Sequence, residues 1–196
     1  MSDSPAQAEG LIGPNAILQL LPVLDRLGGT ERRSQMLARA GIFHLPDGTR
    51  MIPETEAARL HRQLRIEEPA MAPTLAREAG TRTANYILQH RIPAPAQWVL
   101  RALPAGPAAA LLSRAIAKHA WTFVGSGTLT VRGAWTYSIA RNPLVAGETS
   151  ETCLCDWHAG VFSRLYQELV CVSATCHETR CCAQSTGGAC LFEISR

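Results

Sequence analysis

The sequence predicts an α+β fold in which a helical N-terminal half packs on a C-terminal antiparallel sheet, with one long helix inserted between two strand pairs. Apolar residues recur at helical spacing up to about residue 119. From Trp121 onward they alternate with small and polar residues, as in half-buried strands. A further helical stretch then separates this segment from two more strand-like segments. We therefore expect residues 1–119 to form a helical region and residues 120–196 an α+β core, together in one compact unit.

The first half is expected to form helices separated by short breaks. Segment 14–29 carries apolar residues at helical spacing and ends at a glycine pair, which is typical of a helix C-terminus. A second helix should begin at Thr30, a favourable N-cap, and end at Gly41. Asp47-Gly48 then indicates a tight turn. Further helices are predicted over 53–68 and 75–92, followed by a short helix, a Pro/Gly break and another helix within 93–121.

The second half is expected to form the sheet and the inserted helix. Segment 121–144 has strand patterning, with glycines at positions 125, 127 and 133 expected to mark bends or bulges. Segment 151–170 shows helical spacing and begins near a Thr149/Ser150 cap. Segments 169–178 and 189–195 are predicted as the last two strands, joined by a turn over 184–188.

Composition narrows the class of protein. A chain of 196 residues, 46% of them hydrophobic, can bury a core without disulfides. The first 15 residues lack the basic and apolar regions of a signal peptide, so we expect a cytoplasmic protein with reduced thiols, able to associate peripherally with a membrane. No apolar run approaches the length of a transmembrane helix. The net charge is +3 without a basic cluster, which argues against nucleic acid as a partner.

The seven cysteines raise the question of a metal site, because four of them fall within residues 176–190. An odd count in a chain without an export signal disfavours a disulfide framework. The sequence contains no C-x-x-C redox pair, and the spacing fits no common iron–sulfur run. Zinc remains a candidate, because its four ligands can come from separate elements. Simple core packing is the alternative, and it is the expectation for Cys171 and Cys176.

Three cysteines are the best candidates for metal ligands. Cys155 falls in the first turn of the inserted helix, where the helix dipole favours a thiolate. Cys181 and Cys190 flank the final turn, so their side chains can face each other. The fourth ligand stays open at this point: coordination statistics favour His177, whereas Glu178 requires a bend or bulge before Cys181.

The C-terminal third also carries a recognisable pattern. The segments C155-x4-G160, E178-T-R-C181 and C190-L-F-E-I resemble the 4-vinyl reductase (4VR) domain, a small ligand-binding module, over roughly residues 120–196. The whole chain is similar to the stand-alone members of that family in bacteriochlorophyll biosynthesis. Regulatory members sense aromatic compounds and hold a zinc through three cysteines and a glutamate. The resemblance therefore implies a structural zinc held by Cys155, Glu178, Cys181 and Cys190, with His177 as the alternate to Glu178.

The family name implies reduction of a tetrapyrrole vinyl group, but the sequence offers little support for an enzyme. No G-x-G-x-x-G follows a predicted strand, and zinc has no redox chemistry. Binding a porphyrin requires only an apolar cleft, aromatic faces and arginines at the rim. The candidate ligand-binding residues cluster around the predicted junction between helices and sheet: His90, Arg91, Trp98, Trp121, Phe123, Trp135 and Tyr137. For each of them, core packing or surface coating is the simpler alternative.

These observations lead to one predicted function and two alternatives. We expect a protein of bacteriochlorophyll biosynthesis that binds a magnesium-porphyrin or a divinyl chlorophyllide precursor. It would deliver this ligand between pathway enzymes such as the magnesium chelatase or the following methyltransferase. The first alternative is a vinyl reductase acting on a divinyl tetrapyrrole. The second is a small-molecule sensor or adaptor module, and a homodimer is compatible with any of the three.

Overall fold

A computed structural model of the chain describes residues 10–185 and 188–196. Its first half contains β1 (Leu11–Ile12), α1 (Asn15–Leu18), α2 (Leu21–Arg39), β2 (Ile52–Pro53), α3 (Glu54–Glu67), α4 (Ala72–His90), α5 (Ala94–Ala102) and α6 (Ala105–Lys118). Its second half contains α7 (Trp121–Val124), β3 (Thr128–Gly133), β4 (Thr136–Ala140), a 3₁₀ turn (Pro143–Val145), α8 (Asp156–Leu169), β5 (Thr175–Arg180) and β6 (Ala189–Ser195). Within these described ranges, no helix combines the length and apolar character needed to cross a membrane.

The main sheet has four antiparallel strands in the order β3-β4-β6-β5. The two hairpins β3-β4 and β5-β6 are separated in sequence by α8, and β4 pairs with β6 at the centre. Tyr137 pairs with Phe192 in this register, and both side chains are fully buried. The sheet therefore presents one apolar face, which α8 covers.

Helix α8 is the central element of the fold, since ten of its fourteen residues are buried. It contacts α4 on one side and β5 on the other. The crossing with α4 is so close that a Cβ atom on Gly80 would lie 2.1 Å from the Trp157 carbonyl oxygen. A Cβ atom on Gly160 would lie 2.2 Å from the Arg77 carbonyl oxygen. Glycine at these two positions is what allows the helix backbones to touch.

An aromatic cluster joins α8 to the sheet. Phe162 stacks on Tyr137 with ring centroids 4.8 Å apart and meets Phe192 edge to face at 5.4 Å. The Tyr137 and Tyr166 hydroxyl oxygens are 2.6 Å apart, and the Tyr166 hydroxyl donates to the carbonyl of Ala134. Burial raises the pKa of Tyr166 to about 12, so both phenols stay neutral and their polar ends are satisfied.

The predicted fold class is wrong. Helices make up 54% of the described residues and strands 15%, so the chain is a mixed, mainly helical fold. The N-terminal helices are not a layer placed on an independent α+β core, because α8 is enclosed between α4 and the sheet. One buried cluster accordingly includes residues from Ile12 to Ile194. The general order, with helices first and most of the sheet later, does hold.

Local departures have physical causes. Residues Trp121–Val124 form a helical turn rather than a strand, and the Gly13 amide donates to the Thr122 carbonyl at 2.7 Å. Helix α2 continues past the glycine pair with a kink, since Gly28 and Gly29 have non-helical backbone angles. The strand predicted from residue 169 begins at Thr175. Two predictions fall partly outside the described residues: the N-terminal segment at 1–9 and the final turn at 186–187.

Two buried histidines flank Trp157. The His61 ring, on α3, makes a 3.0 Å hydrogen bond from Nε2 to the Ala16 carbonyl, and the His158 ring makes one of 3.1 Å to the Phe123 carbonyl. Burial lowers the pKa of His61 to about 3 and that of His158 to about 4. Both rings are therefore neutral donors in the folded chain.

This burial predicts acid sensitivity. Each folded-state pKa lies below the ordinary value of 6.5, so the stabilisation is complete above that pH and is lost as the pH falls below it. At about pH 5 each histidine should cost ~2 kcal/mol of unfolding free energy relative to about pH 7. In urea titrations, His61→Gln should lose ~2 kcal/mol less than the wild-type chain over this interval, whereas His177→Gln, at an exposed position, should lose as much as wild type. An unchanged pH dependence in His61→Gln would contradict the assignment.

Candidate metal site

Four side chains from three parts of the chain converge at the N-terminus of α8. One ligand atom from each of Cys155, Glu178, Cys181 and Cys190 lies within 4.8 Å of all the others. The sulfur of Cys155 is 3.8 Å from that of Cys181 and 3.4 Å from that of Cys190, and the remaining sulfur pair is 3.9 Å apart. Tetrahedral zinc with Zn–S bonds of about 2.3 Å places its sulfurs about 3.8 Å apart. The spacing therefore fits a tetrahedral ion of this size.

Each ligand is positioned by a different local feature. Cys155 is the residue that precedes the first turn of α8, and Cys190 pairs with Ile139 at the centre of the sheet. Glu178 is in β5, and the strand register shifts between Glu178 and Arg180. This irregularity is the bend that the odd spacing from Glu178 to Cys181 requires.

Hydrogen bonds hold the carboxylate in place. The backbone N–H of Cys155 donates to Oε2 of Glu178 at 2.7 Å. The other oxygen, Oε1, is buried and has no hydrogen-bond partner among the described residues. A buried carboxylate oxygen without a donor is costly unless a cation or water meets it. Glu178 is thus oriented with one oxygen fixed and one free to coordinate.

Nitrogen donors surround the sulfurs. The side-chain amide of Asn142, which is itself buried, donates to the sulfurs of Cys155 at 3.2 Å and Cys190 at 3.6 Å. The backbone N–H of Cys182 donates to the sulfur of Cys190 at 3.3 Å. Such donors stabilise the thiolate form that binds a metal. Sequence reasoning missed Asn142; the signal that could have indicated it is its place before Pro143, where an Asx side chain caps a turn by accepting from the Leu144 amide.

The electrostatics of the cluster call for a cation. Burial raises the pKa of the Cys155 thiol well above its usual range, and hydrogen bonds from the thiols of Cys155 and Cys190 lower the pKa of Cys181. Burial, followed by the neighbouring Cys181, raises the pKa of Glu178 to about 7. Three sulfurs and a carboxylate cannot all ionise in this apolar setting without a compensating charge. A divalent ion supplies that charge and removes the thiol protons.

The other sulfur and imidazole candidates lie outside the cluster. His177 is exposed on β5, opposite Glu193 of β6. Cys182 is half-buried, and its thiol donates to the Ile139 carbonyl at 3.5 Å. Cys176 is fully buried in the core, as predicted, and its backbone amide donates to Ser163. The structure thus groups the glutamate, rather than the alternate histidine, with the three sulfurs.

The predicted ligand-binding residues do not converge in the same way. Trp98 and Trp121 are 72% and 59% exposed, whereas Tyr137 is fully buried. The remaining members make separate contacts: Phe123 with His158 and Phe162, Trp135 with Tyr166 and Arg196, and both His90 and Arg91 with Tyr86. A cavity of about 190 Å³ lies between α3, α4 and residues 152–156, and none of the seven predicted residues lines it. That volume is below the ~300 Å³ at which sites for larger organic ligands begin.

Comparison with known proteins identifies the class. Residues 135–196 match the family model of the V-4-R domain, that is, the 4-vinyl reductase (4VR) domain, and this range contains all four residues of the cluster. The match confirms the resemblance seen in the sequence. The cluster and the hairpin around it therefore define a 4VR-domain protein.

Two relatives extend the similarity to nearly the whole chain. The bacteriochlorophyll synthase 23 kDa chain of Cereibacter sphaeroides is 50% identical over 185 residues, covering 93% of this chain and 89% of the relative. The protein of the same name from Rhodobacter capsulatus is 42% identical over 193 residues, covering 97% and 90%. The chain belongs to the family of these 23 kDa chains.

Solved structures show which fold replaces the predicted class. The chain is similar to an unliganded Fe(II) H-NOX protein from K. algicida, with a TM-score of 0.57, 10% identity and coverage of 94% of this chain and 96% of the other. A variant H-NOX from T. tengcongensis gives a TM-score of 0.56 at 9% identity, covering 93% and 96%. The likeness includes the N-terminal helices as well as the sheet, so the chain has an H-NOX-like mixed fold from end to end.

Proposed function

We propose that this chain acts in bacteriochlorophyll biosynthesis by binding a tetrapyrrole intermediate, a magnesium-porphyrin or its divinyl successor, and delivering it to a pathway enzyme. The observation that carries the proposal is the 50% identity, over 93% of the chain, to a protein named as a chain of bacteriochlorophyll synthase. Identity at this level over nearly the full length supports a shared biological role. The magnesium chelatase and the following methyltransferase are the recipients that we propose.

The ligand class has a second line of support. Among the solved structures that share the fold, one is titled for heme distortion and another for porphyrin distortion. At 9% identity these likenesses concern the fold alone, so they make a tetrapyrrole a reasonable ligand without defining its site.

The end of α7 is the proposed point of contact with the tetrapyrrole. Trp121 is exposed there and Phe123 is half-buried, so both can offer aromatic surface to a flat ring. The Val124 and Arg141 carbonyls lie 2.8 and 2.9 Å from the same Cβ position at Gly127, which places Arg141 beside the end of this helix. Arg141 forms no ion pair within the described part of the chain, and its guanidinium is available to a ligand carboxylate.

A zinc ion held by Cys155, Glu178, Cys181 and Cys190 is the second part of the proposal. Bound there, zinc supplies structural cross-linking and no electrons. The four residues connect the start of α8 to the β5-β6 hairpin, while the N–H groups of Asn142 and Cys182 neutralise sulfur charge. We propose that this clamp keeps α8 in place beneath the sheet.

Titration with magnesium-protoporphyrin tests the tetrapyrrole proposal. The purified chain should shift the pigment's absorbance band to the red, with and without a nicotinamide, and leave its vinyl groups intact. Trp121→Ser should weaken binding about tenfold through loss of the stacking surface. Phe43→Ser, a comparable exposed aromatic on a different loop, should leave the affinity unchanged.

Two other outcomes would contradict the carrier. Reduction of the vinyl group in the presence of the nicotinamide would establish the reductase. No spectral change at any pigment concentration would favour the sensor or adaptor module.

A further inference from the structure

The hairpin formed by α5 and α6 has two apolar faces. Its inner side, with Leu100, Leu112 and Ile116, is buried against the rest of the chain. Its outer side carries large apolar side chains that no part of the described chain covers: Trp98 (72% exposed), Val99 (53%), Leu103 (36%) and Leu111 (43%). A helix pair that is apolar all round needs a second apolar surface on its outside.

The charges around this hairpin have one sign. No aspartate or glutamate occurs between Glu78 and Glu148, whereas this stretch holds seven of the 19 basic residues; the remainder of the chain is net acidic. Leu111, Arg114 and Lys118 are spaced to lie along one exposed stripe of α6. Neither Arg114 nor Lys118 forms an ion pair with any residue in the described ranges.

We infer that the outer face of the α5-α6 hairpin docks on the surface of an anionic lipid bilayer. The bilayer offers both phases that this face requires: hydrocarbon and interface for Trp98, Leu103 and Leu111, and headgroup phosphates for the unpaired cations. Tryptophan and arginine or lysine are the side chains typical of this position at a membrane. Docking of this kind leaves the hairpin flat on one leaflet.

The alternative occupants fit less well. A second copy of the chain would bring two basic hairpins together, and Arg114 and Lys118 would face like charges. Nucleic acid would satisfy the cations but would leave Trp98, Val99 and Leu103 without an apolar partner. An anionic bilayer is the one candidate that satisfies both requirements.

Vesicle sedimentation tests the inference on the full-length chain. Vesicles of equal parts phosphatidylcholine and phosphatidylglycerol should bind the chain, and vesicles of phosphatidylcholine alone should bind it at least about tenfold less. Trp98→Ser and Arg114→Glu should each weaken binding to the mixed vesicles about tenfold. The matched controls Phe43→Ser and Arg50→Glu, exposed positions outside the hairpin, should bind as the wild-type chain does.

The inference fails if the mixed vesicles do not bind the chain, or if the hairpin variants bind as well as the controls. It also fails if gel filtration shows a dimer that Trp98→Ser dissociates, because the face would then join two copies. The variants lie outside the proposed tetrapyrrole contact at Trp121, so loss of vesicle binding with pigment binding intact separates the two proposals.

Discussion

Replacing Gly160 by alanine is expected to lower the free energy of unfolding by at least about 3 kcal/mol, a large share of the ~5–15 kcal/mol typical of a domain. The added Cβ would lie 2.2 Å from the Arg77 carbonyl oxygen, and that neighbour is helix backbone, which cannot rotate away. Helices α4 and α8 would have to separate, and the packing of α8 on the sheet would be lost with them. Urea or guanidinium unfolding of the purified variant measures the effect.

Gly106 provides the matched control. It is also a helical glycine, in α6, but nothing lies within 4 Å of its Cβ position. Gly106→Ala should therefore be neutral or stabilise the chain by up to about 1 kcal/mol. Gly80→Ala should repeat the loss seen at Gly160, because its Cβ would lie 2.1 Å from the Trp157 carbonyl oxygen. If Gly160→Ala were as stable as the wild-type chain, the two helices could not be in backbone contact.

Replacing Cys190 by alanine is expected to abolish zinc binding and to lower the free energy of unfolding by about 4 kcal/mol or more. Cys190 is fully buried, with its sulfur 3.4 Å from that of Cys155 and 3.9 Å from that of Cys181. Its loss leaves two sulfurs and a carboxylate, too few ligands for a closed structural site. Metal content and the thermal unfolding midpoint, each with and without a chelator, measure the effect.

Cys176 is the control for this experiment. It is equally buried in the neighbouring strand but contributes no atom to the cluster. Cys176→Ala should keep the metal and cost only the ~1–2 kcal/mol of a small cavity. A chelator should destabilise the wild-type chain and Cys176→Ala but leave Cys190→Ala unchanged. Equal metal content in the two variants would argue against the ligand set.

The sequence predicted the cluster well because its geometry is local. A cysteine at a helix start and two cysteines on either side of a hairpin turn have limited freedom, so Cys155, Cys181 and Cys190 could be paired by reasoning about elements alone. Glu178 required a strand irregularity, which the register shift before Arg180 supplies. Asn142 was missed because its role depends on β4 bringing it beside two sulfurs distant in sequence.

The fold class and the ligand residues depended on information that periodicity does not contain. A period shows which residues share a face, but it does not show what covers that face. The closeness of α4 and α8 at Gly80 and Gly160, which merges the helical half with the sheet, has no signature beyond two isolated glycines. The aromatic residues around position 121 were grouped by sequence proximity, whereas the structure buries Tyr137 and exposes Trp98.

X-ray absorption at the zinc edge of the purified chain tests the central claim, the four-residue clamp at the start of α8, most directly. The account predicts about one zinc per chain, with three sulfur neighbours at about 2.3 Å and one oxygen neighbour at about 2.0–2.2 Å. Absence of zinc would contradict it. So would a coordination shell containing imidazole or four sulfurs, because Glu178 would then not be the fourth ligand.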